Sequence, residues 1–362
     1  MLTILRNLTI LLNVALLSAC APVATPNESQ ILQQITPILP TPNNTYTRSS
    51  ISCRVFINSR WGVGQEEFGF QNKSFSHDLR PGPYPPTFDE RGNIFIADIM
   101  NERIIKYTLD EKPPKIIFIP DSFTIDFGSF DLPWSNISVS GDNVFFVAYA
   151  WKNERRTLKL VNISVKNGDM HLVDLDSYYP LNPTLITPVI ADKHGGVYVL
   201  LEKGVIIHFN SNYQSEIILT SLQIPSDKLL VGWDGNLYTN EPLNNLSKNW
   251  GKANDTFAIK LGEAMSQIDT TKVTPSEANT NFDELLGVDS LGRLYFLLHN
   301  KDSKIELFRF DPSNNSGTLG QIDKPWTINN FGFSLAPDGS LYSTIFDPQN
   351  FSVQPKIIKC TF

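Results

Sequence analysis

Five histidines, one Asp-x-x-Asn-x-Arg turn and three cysteines are the residues of this chain with the most chemistry to offer. His77, His171, His194, His208 and His299 never fall into His-x-His or His-Glu-x-x-His, the spacings that bring two imidazoles to one metal. His194 stands in a turn and His208 inside an apolar strand. No Gly-x-Ser-x-Gly elbow is present to raise a serine nucleophile. Asp98, Asn101 and Arg103, from "IADIMNERI", have two readings. One is a polar ligand site at a loop rim. The other is a turn held by its own side-chain hydrogen bonds, with Arg103 covering apolar surface. The second is favoured, so no catalytic, cofactor-binding or metal-ligating residue is assigned.

These residues sit within a refrain. "RGNIFIAD" is followed by "SGDNVFFVAY", "DKHGGVYVLL", "WDGNLYTNE", "SLGRLYFLL" and "PDGSLYSTI". Each is a Gly-containing turn, an aliphatic residue, then Phe or Tyr. The aromatics are Phe95, Phe145, Tyr198, Tyr238, Tyr295 and Tyr342, at spacings of 50, 53, 40, 57 and 47 residues. Asp89, Asp192, Asp234, Asp289 and Asp338 precede the turn glycines, which supply the positive φ of a hairpin. The strands that follow are apolar at consecutive positions, the pattern of strands buried on both faces. A third apolar run follows in every unit and a fourth in several. A period near fifty residues with four strands per unit predicts an all-β fold, a six-bladed β-propeller of four-stranded antiparallel blades. The last unit runs out of chain after its third strand, so the N-terminal strand "ISCRVFIN" is expected to close it. Two packed sandwich domains are the structural alternative.

"WGVGQEEFGF" followed by "PPTFDERGNIFIADIMNERIIKY" resembles the NHL-repeat propellers. Asp98, Asn101 and Arg103 match that repeat in the first unit only. The related gluconolactonase propellers bind a divalent metal through a carboxylate that opens one blade. Their opening Glu-Gly-Pro motif is missing, and Thr87 stands near the carboxylate's place. In streptogramin-lyase-type propellers, His and acidic residues from several blades meet at the channel. The resemblance thus implies an alternative to a cofactor-free protein: a metal-dependent hydrolase or lyase with a divalent metal in the central channel.

The first residues, "MLTILRNLTILLNVALLSAC", have a weakly basic start, an apolar stretch and small residues before Cys20. Leu17-Ser18-Ala19-Cys20 resembles the lipobox of bacterial lipoproteins, which implies a signal peptide over 1–19 and a lipidated Cys20. Residues 20–49, rich in Pro, Thr, Asn, Ser and Gln, read as a flexible linker. The propeller is expected over 50–362. The expected address is the extracytoplasmic side of a cell-envelope membrane, reached through the lipid anchor. Net charge −7 and the lack of a Lys/Arg-rich run argue against a nucleic-acid partner.

With Cys20 given to lipid, Cys53 and Cys360 remain at the two extremes of the domain. If the first and last strands are antiparallel neighbours, opposed Cβ atoms lie ~4.5–5.5 Å apart, close to disulfide reach. The alternative is two unpaired core thiols. Trp134 in "DLPWSN" and Trp326 in "DKPWTINN" precede a unit's first strand at corresponding places, as an aromatic rim would. Polar segments 241–256 and 263–282 interrupt the rhythm, and loops of this kind carry binding. The functional expectation is a monomeric binding module without catalysis, its partner an envelope protein, a glycan or a peptide.

Overall fold

The computed structural model describes residues 37–38, 45–69, 83, 85–98, 101–108, 113–119, 123–125, 137–152, 155–176, 178, 189–200, 205–219, 229–239, 256–261, 268–273, 281–299, 305–322, 333–346 and 352–362. The regular elements among them are all strands. In sequence order they form antiparallel four-stranded units. The first unit is Thr87–Phe88, Ile94–Asp98, Arg103–Tyr107 and Lys115–Phe118. The second is Ser138–Ser140, Asn143–Lys152, Arg155–Ser164 and Met170–Asp174. The third is Val189–Ala191, Val197–Leu200, Val205–Phe209 and Ser215–Leu219. The fourth is Leu229–Val231, Leu237–Thr239, Thr256–Leu261 and Ile268–Val273. The fifth is Asn281–Val288, Leu294–His299, Ile305–Asp311 and Ser316–Ile322. The sixth comprises Ser334–Leu335, Leu341–Ile345 and Lys356–Thr361, completed by the second half of Thr45–Asn58.

The units face one another rather than lying in one sheet. Phe95, Ala97 and Ile104 of the first pack on Val139, Phe146 and Val161 of the second. Phe145 and Leu160 of the second pack on Val197 and Phe209 of the third. Tyr238 of the fourth packs on Leu285 and Phe296 of the fifth, and Tyr295 of the fifth on Leu341 and Ile358 of the sixth. Phe88 and Ile96 of the first meet Ala336, Tyr342 and Ile357 of the sixth, which closes the ring. The short first strands of successive units run side by side, lining the centre. The chain is an all-β propeller. Each second strand is buried on both faces because it lies between two neighbouring sheets, hence its unbroken apolar run.

The N-terminal strand closes the last unit and also reaches beyond it. Ser52–Asn58 pairs antiparallel with Lys356–Thr361, placing Cys53 opposite Cys360. The two cysteines form a disulfide, with Cα atoms 4.1 Å apart. Further upstream, Thr45–Ile51 pairs parallel with Ser316–Ile322, the outer strand of the fifth unit. Pro37–Ile38 pairs parallel with the outer strand of the fourth. Strand structure therefore occurs at Pro37–Ile38 and again from Thr45, both inside the segment whose composition reads as linker. Gly320 makes room for it: a Cβ there would meet Ile51 at 2.3 Å. Within polar segment 263–282, Ile268–Val273 is the fourth unit's outer strand. Its "IDTTKV" is too polar to be recognised as a strand by apolar content alone.

Candidate functional site

The refrain turns are built by their aspartates. Asp89 Oδ1 accepts the amides of Arg91 and Asn93, Asp192 Oδ1 those of His194 and Gly196, and Asp289 Oδ1 those of Leu291 and Arg293. Gly92 and Gly292 occupy the positive-φ place in two of these hairpins, at 79° and 76°. The second carboxylate oxygen turns to side chains. Asp289 takes Arg293 Nε at 2.6 Å and the Tyr295 hydroxyl at 3.0 Å. Asp234 takes the Tyr238 hydroxyl at 2.7 Å. Asp192 bonds His208 Nε2 at 2.7 Å, and Asp338 accepts Lys359 Nζ at 3.2 Å. Burial works against ionisation of Asp192, but His208 and the two turn amides outweigh it and hold the carboxyl below its ordinary range.

One repeating position was not anticipated from the sequence. Directly opposite the refrain aromatics, on the third strands, stand Lys106, Asn162, His208, Lys260, Arg309 and Lys359. The Lys106 and Lys359 ammonium groups each lie 5.4 Å from the ring centroid opposite, and His208 stacks on Tyr198 at 4.5 Å. His208 and Lys359 each complete a set with their refrain turn's aspartate, Asp192 and Asp338, and the aromatic opposite. These sets hold charge in place within the blades, so they are part of the frame.

At the end of the ring formed by these turns, two side chains reach inward. Trp233, in the fourth unit's turn, donates its backbone N–H to Val288 O and its indole N–H to Leu335 O of the sixth unit, both at 2.9 Å. Its ring packs against clusters shared by the fifth, sixth and first units. Lys193, from the third unit's turn, lies over that indole with Nζ 3.6 Å from the ring centroid. It adopts φ 67° to do so, an uncommon backbone state for a residue with a Cβ. Burial pulls its ammonium down to about 8, against the opposing fields of Glu90, Asp89 and Asp192. Glu90 Oε2 in turn accepts the Gly141 amide at 2.7 Å, and the Ser140 hydroxyl accepts the Gly195 amide at 3.1 Å. Neighbouring turns are thus knitted together, and Trp233 with Lys193 spans the space between them.

The opposite face carries the connections from second to third strands and between units. One described part of it is the segment 60–69 at the seam of the sixth and first units. Asp98, Asn101 and Arg103 come together there. Asp98 Oδ2 accepts Asn101 Nδ2 and Arg103 Nε, each at 2.8 Å, and Oδ1 accepts the Gly69 amide at 2.8 Å. Burial pushes the Asp98 carboxyl up in spite of these donors. Arg103 gives its remaining N–H groups to the carbonyls of Val63, Gly64 and Glu67, and Asn101 donates to Gly62 O. Trp61 donates Nε1 to Val353 O and meets Phe346 edge-on at 5.8 Å.

Trp134, Trp326, Cys20, His77 and polar segment 241–255 lie outside the described residues. His171 is exposed and stacks on Tyr213 at 3.8 Å. His194 is exposed in its turn, and His299 ends a second strand. Among the described residues, no three His, Cys, Asp or Glu side chains are placed to hold a metal ion.

No family model and no curated protein matches the chain in sequence. Solved structures resemble it in shape. A streptogramin B lyase aligns at 12% identity over 86% of this chain and 97% of its own, with a TM-score of 0.41. An inactive variant of virginiamycin B lyase from Staphylococcus aureus aligns at 14% identity, 82% and 100% coverage, and 0.39. The PQQ-bound aldose sugar dehydrogenase from Streptomyces coelicolor aligns at 9% identity, 86% and 99% coverage, and 0.41. At such identities the likeness is one of fold.

Proposed function

We propose that this chain is a lipid-anchored, extracytoplasmic binding module whose working surface is the loop face opposite the Asp-built turns. Cys20 carries the lipid, and the segment after it leads from the membrane to the propeller. The observation that carries this reading is the commitment of the described polar side chains. The refrain aspartates are spent on turn amides and strand side chains, and Asp98, Asn101 and Arg103 on segment 60–69. Trp233 and Lys193 fill the turn end of the ring, so a ligand approaches from the loop face. In the sequence, Trp134 and Trp326 fall between the last strand of one unit and the first strand of the next, and residues 241–255 between the fourth unit's second and third strands. An aromatic rim on the loop face suits a glycan or an extended peptide of the envelope, since flat rings stack on both without reacting with either.

Two measurements test this. The Cys20→Ala chain should move from membranes to the soluble fraction; unchanged detergent partitioning removes the anchor. Metal analysis of the purified Cys20→Ala chain should find no stoichiometric Ca, Mg or Zn. One equivalent of metal per chain, with a hydrolytic or eliminating activity lost on chelation, favours the metal-dependent hydrolase or lyase instead.

A further inference from the structure

The chain displays, on itself, a way of binding peptide. In the fifth unit the outer strand Ser316–Ile322 is covered by a parallel run of seven residues, Thr45–Ile51, and in the fourth unit Pro37–Ile38 lies on the outer strand in the same sense. In the sixth unit the outer strand is itself supplied by the N-terminus. The outer strands of the first three units end their sheets without such a cover among the described residues. An unpaired edge presents a row of free N–H and C=O groups, and proteins normally blunt it.

The first unit's edge differs from a blunted one in two respects. Phe118, on strand Lys115–Phe118, is 72% exposed, a large apolar side chain at the sheet's margin. Beside the strand lies a cleft of about 290 Å³, walled by Ile116 and Phe118 on one side and by Val165, Gly168 and Met170 of the second unit on the other. Met170 is itself 41% exposed. The charged side chains lining the cleft are both cationic, Lys115, whose ammonium donates to Val165 O, and exposed Lys166; Ser164 and Asn167 are its neutral polar groups.

We propose that this edge is a second binding site, distinct from the loop face, that takes an extended peptide segment of a partner protein by strand addition. The peptide continues the first unit's sheet at Lys115–Phe118. Alternate side chains then project to one side, so an apolar residue enters the cleft between Phe118 and Met170. A carboxylate-bearing residue lies toward Lys166. Backbone pairing supplies affinity, and the apolar cleft with its lysines selects short, extended, acidic-apolar sequences over basic ones.

The test uses the full mature protein in detergent and a fluorescein-labelled seven-residue peptide that alternates Val or Ile with Glu. Fluorescence anisotropy should show saturable binding. The same peptide with Lys in place of Glu, or N-methylated at alternate residues, should bind at least tenfold more weakly. Phe118→Asp and Lys166→Glu alter exposed side chains, and each should weaken binding tenfold or more while near-UV circular dichroism stays unchanged. Ile217→Asp, at the exposed edge of the third unit, should leave it unaltered. Absence of saturable binding up to 1 mM peptide (roughly −4 kcal/mol, the weak end of specific recognition) overturns the proposal. So does binding that Phe118→Asp leaves intact, or that Ile217→Asp weakens equally.

Discussion

The indole N–H of Trp233 donates to the carbonyl oxygen of Leu335 at 2.9 Å, tying the fourth unit of the ring to the sixth. The bond spans two units because the indole lies across the turn end of the ring rather than between adjacent blades. Trp233→Ala removes the bond and the packing against the clusters on the far side. It should cost about 2–3 kcal/mol of stability, below the ~3–5 kcal/mol of a fully buried aromatic because the ring is only partly buried. Trp233→Phe keeps most of the packing but leaves Leu335 O without its donor, and should cost about 1–3 kcal/mol. Urea unfolding of both variants measures the difference; equal, near-zero losses would show that the indole contributes nothing to closure.

Lys193 gives the turn end a pH signature. Its ammonium titrates near 8 in the folded chain and at its ordinary 10.5 in the unfolded one. Below pH 8 both states are charged, and folding bears the full cost of burying the charge. Between pH 8 and 10.5 the unfolded state binds more protons, so this contribution to stability rises with pH. Compared with Lys193→Met, the wild-type chain should gain about 1–2 kcal/mol over that interval, a figure reduced for the side chain's partial exposure. Parallel pH profiles for the two proteins would contradict it.

Asp192 acts in the opposite direction. Its carboxyl is held below its ordinary range, so its contribution is complete above the unfolded value near 4 and is lost as pH falls through the folded one. Asp192→Asn should cost about 1–3 kcal/mol at pH 7. Denaturation midpoints of variant and wild type should converge in strong acid. A constant gap from pH 7 down to acid would assign the loss to geometry instead of charge.

The Cys53–Cys360 disulfide closes a loop with a sequence separation of 307 residues. Chain entropy alone assigns it roughly 5–6 kcal/mol, an upper figure that depends on the unfolded-state model. Reduction, or Cys53→Ser with Cys360→Ser, should lower the melting temperature and open the N-terminal strand first, since that strand completes the sixth unit. Hydrogen exchange of Ile51–Asn58 and Lys356–Thr361 checks this; protection unchanged on reduction would show that the ladder holds without the bridge.

Arg103 has every described N–H directed at Asp98 or segment 63–67. Arg103→Lys keeps the charge but not the fork, and should release residues 62–69 to protease while the melting temperature falls by only a few degrees. A segment that stays resistant would mean that Trp61 and Phe68 hold it unaided.

The fold was legible because the turn chemistry repeats. Asp-x-x-Gly in three units, Asp-Gly in two and Ser-Gly in the second, each followed by an aliphatic–aromatic pair, mark the hinge of the unit, and burial on both faces leaves an unbroken apolar run. The polar residue opposite each aromatic was not legible, although its letters were present. Its distance from the aromatic varies from 10 residues (Tyr198 to His208) to 22 (Tyr238 to Lys260). The loop between second and third strands sets that distance, so no fixed period exposes it. Outer strands suffered likewise: Ile268–Val273 and Thr45–Ile51 face solvent or another edge and carry polar letters, so composition assigned both to loop. Asp98, Asn101 and Arg103 could be read as a set, but the segment they grip lies some forty residues upstream and is joined to them only by ring closure.

The central claim is that the loop face binds a ligand and leaves it unaltered. The most direct measurement is hydrogen–deuterium exchange on the mature protein, with and without solubilised envelope glycans and peptides, the material being recovered afterwards for mass analysis. The account predicts protection in residues 126–136 and 323–332, with the recovered material chemically intact. Protection centred on the turns of Glu90, Lys193 and Trp233, or cleavage of the added material, would contradict it.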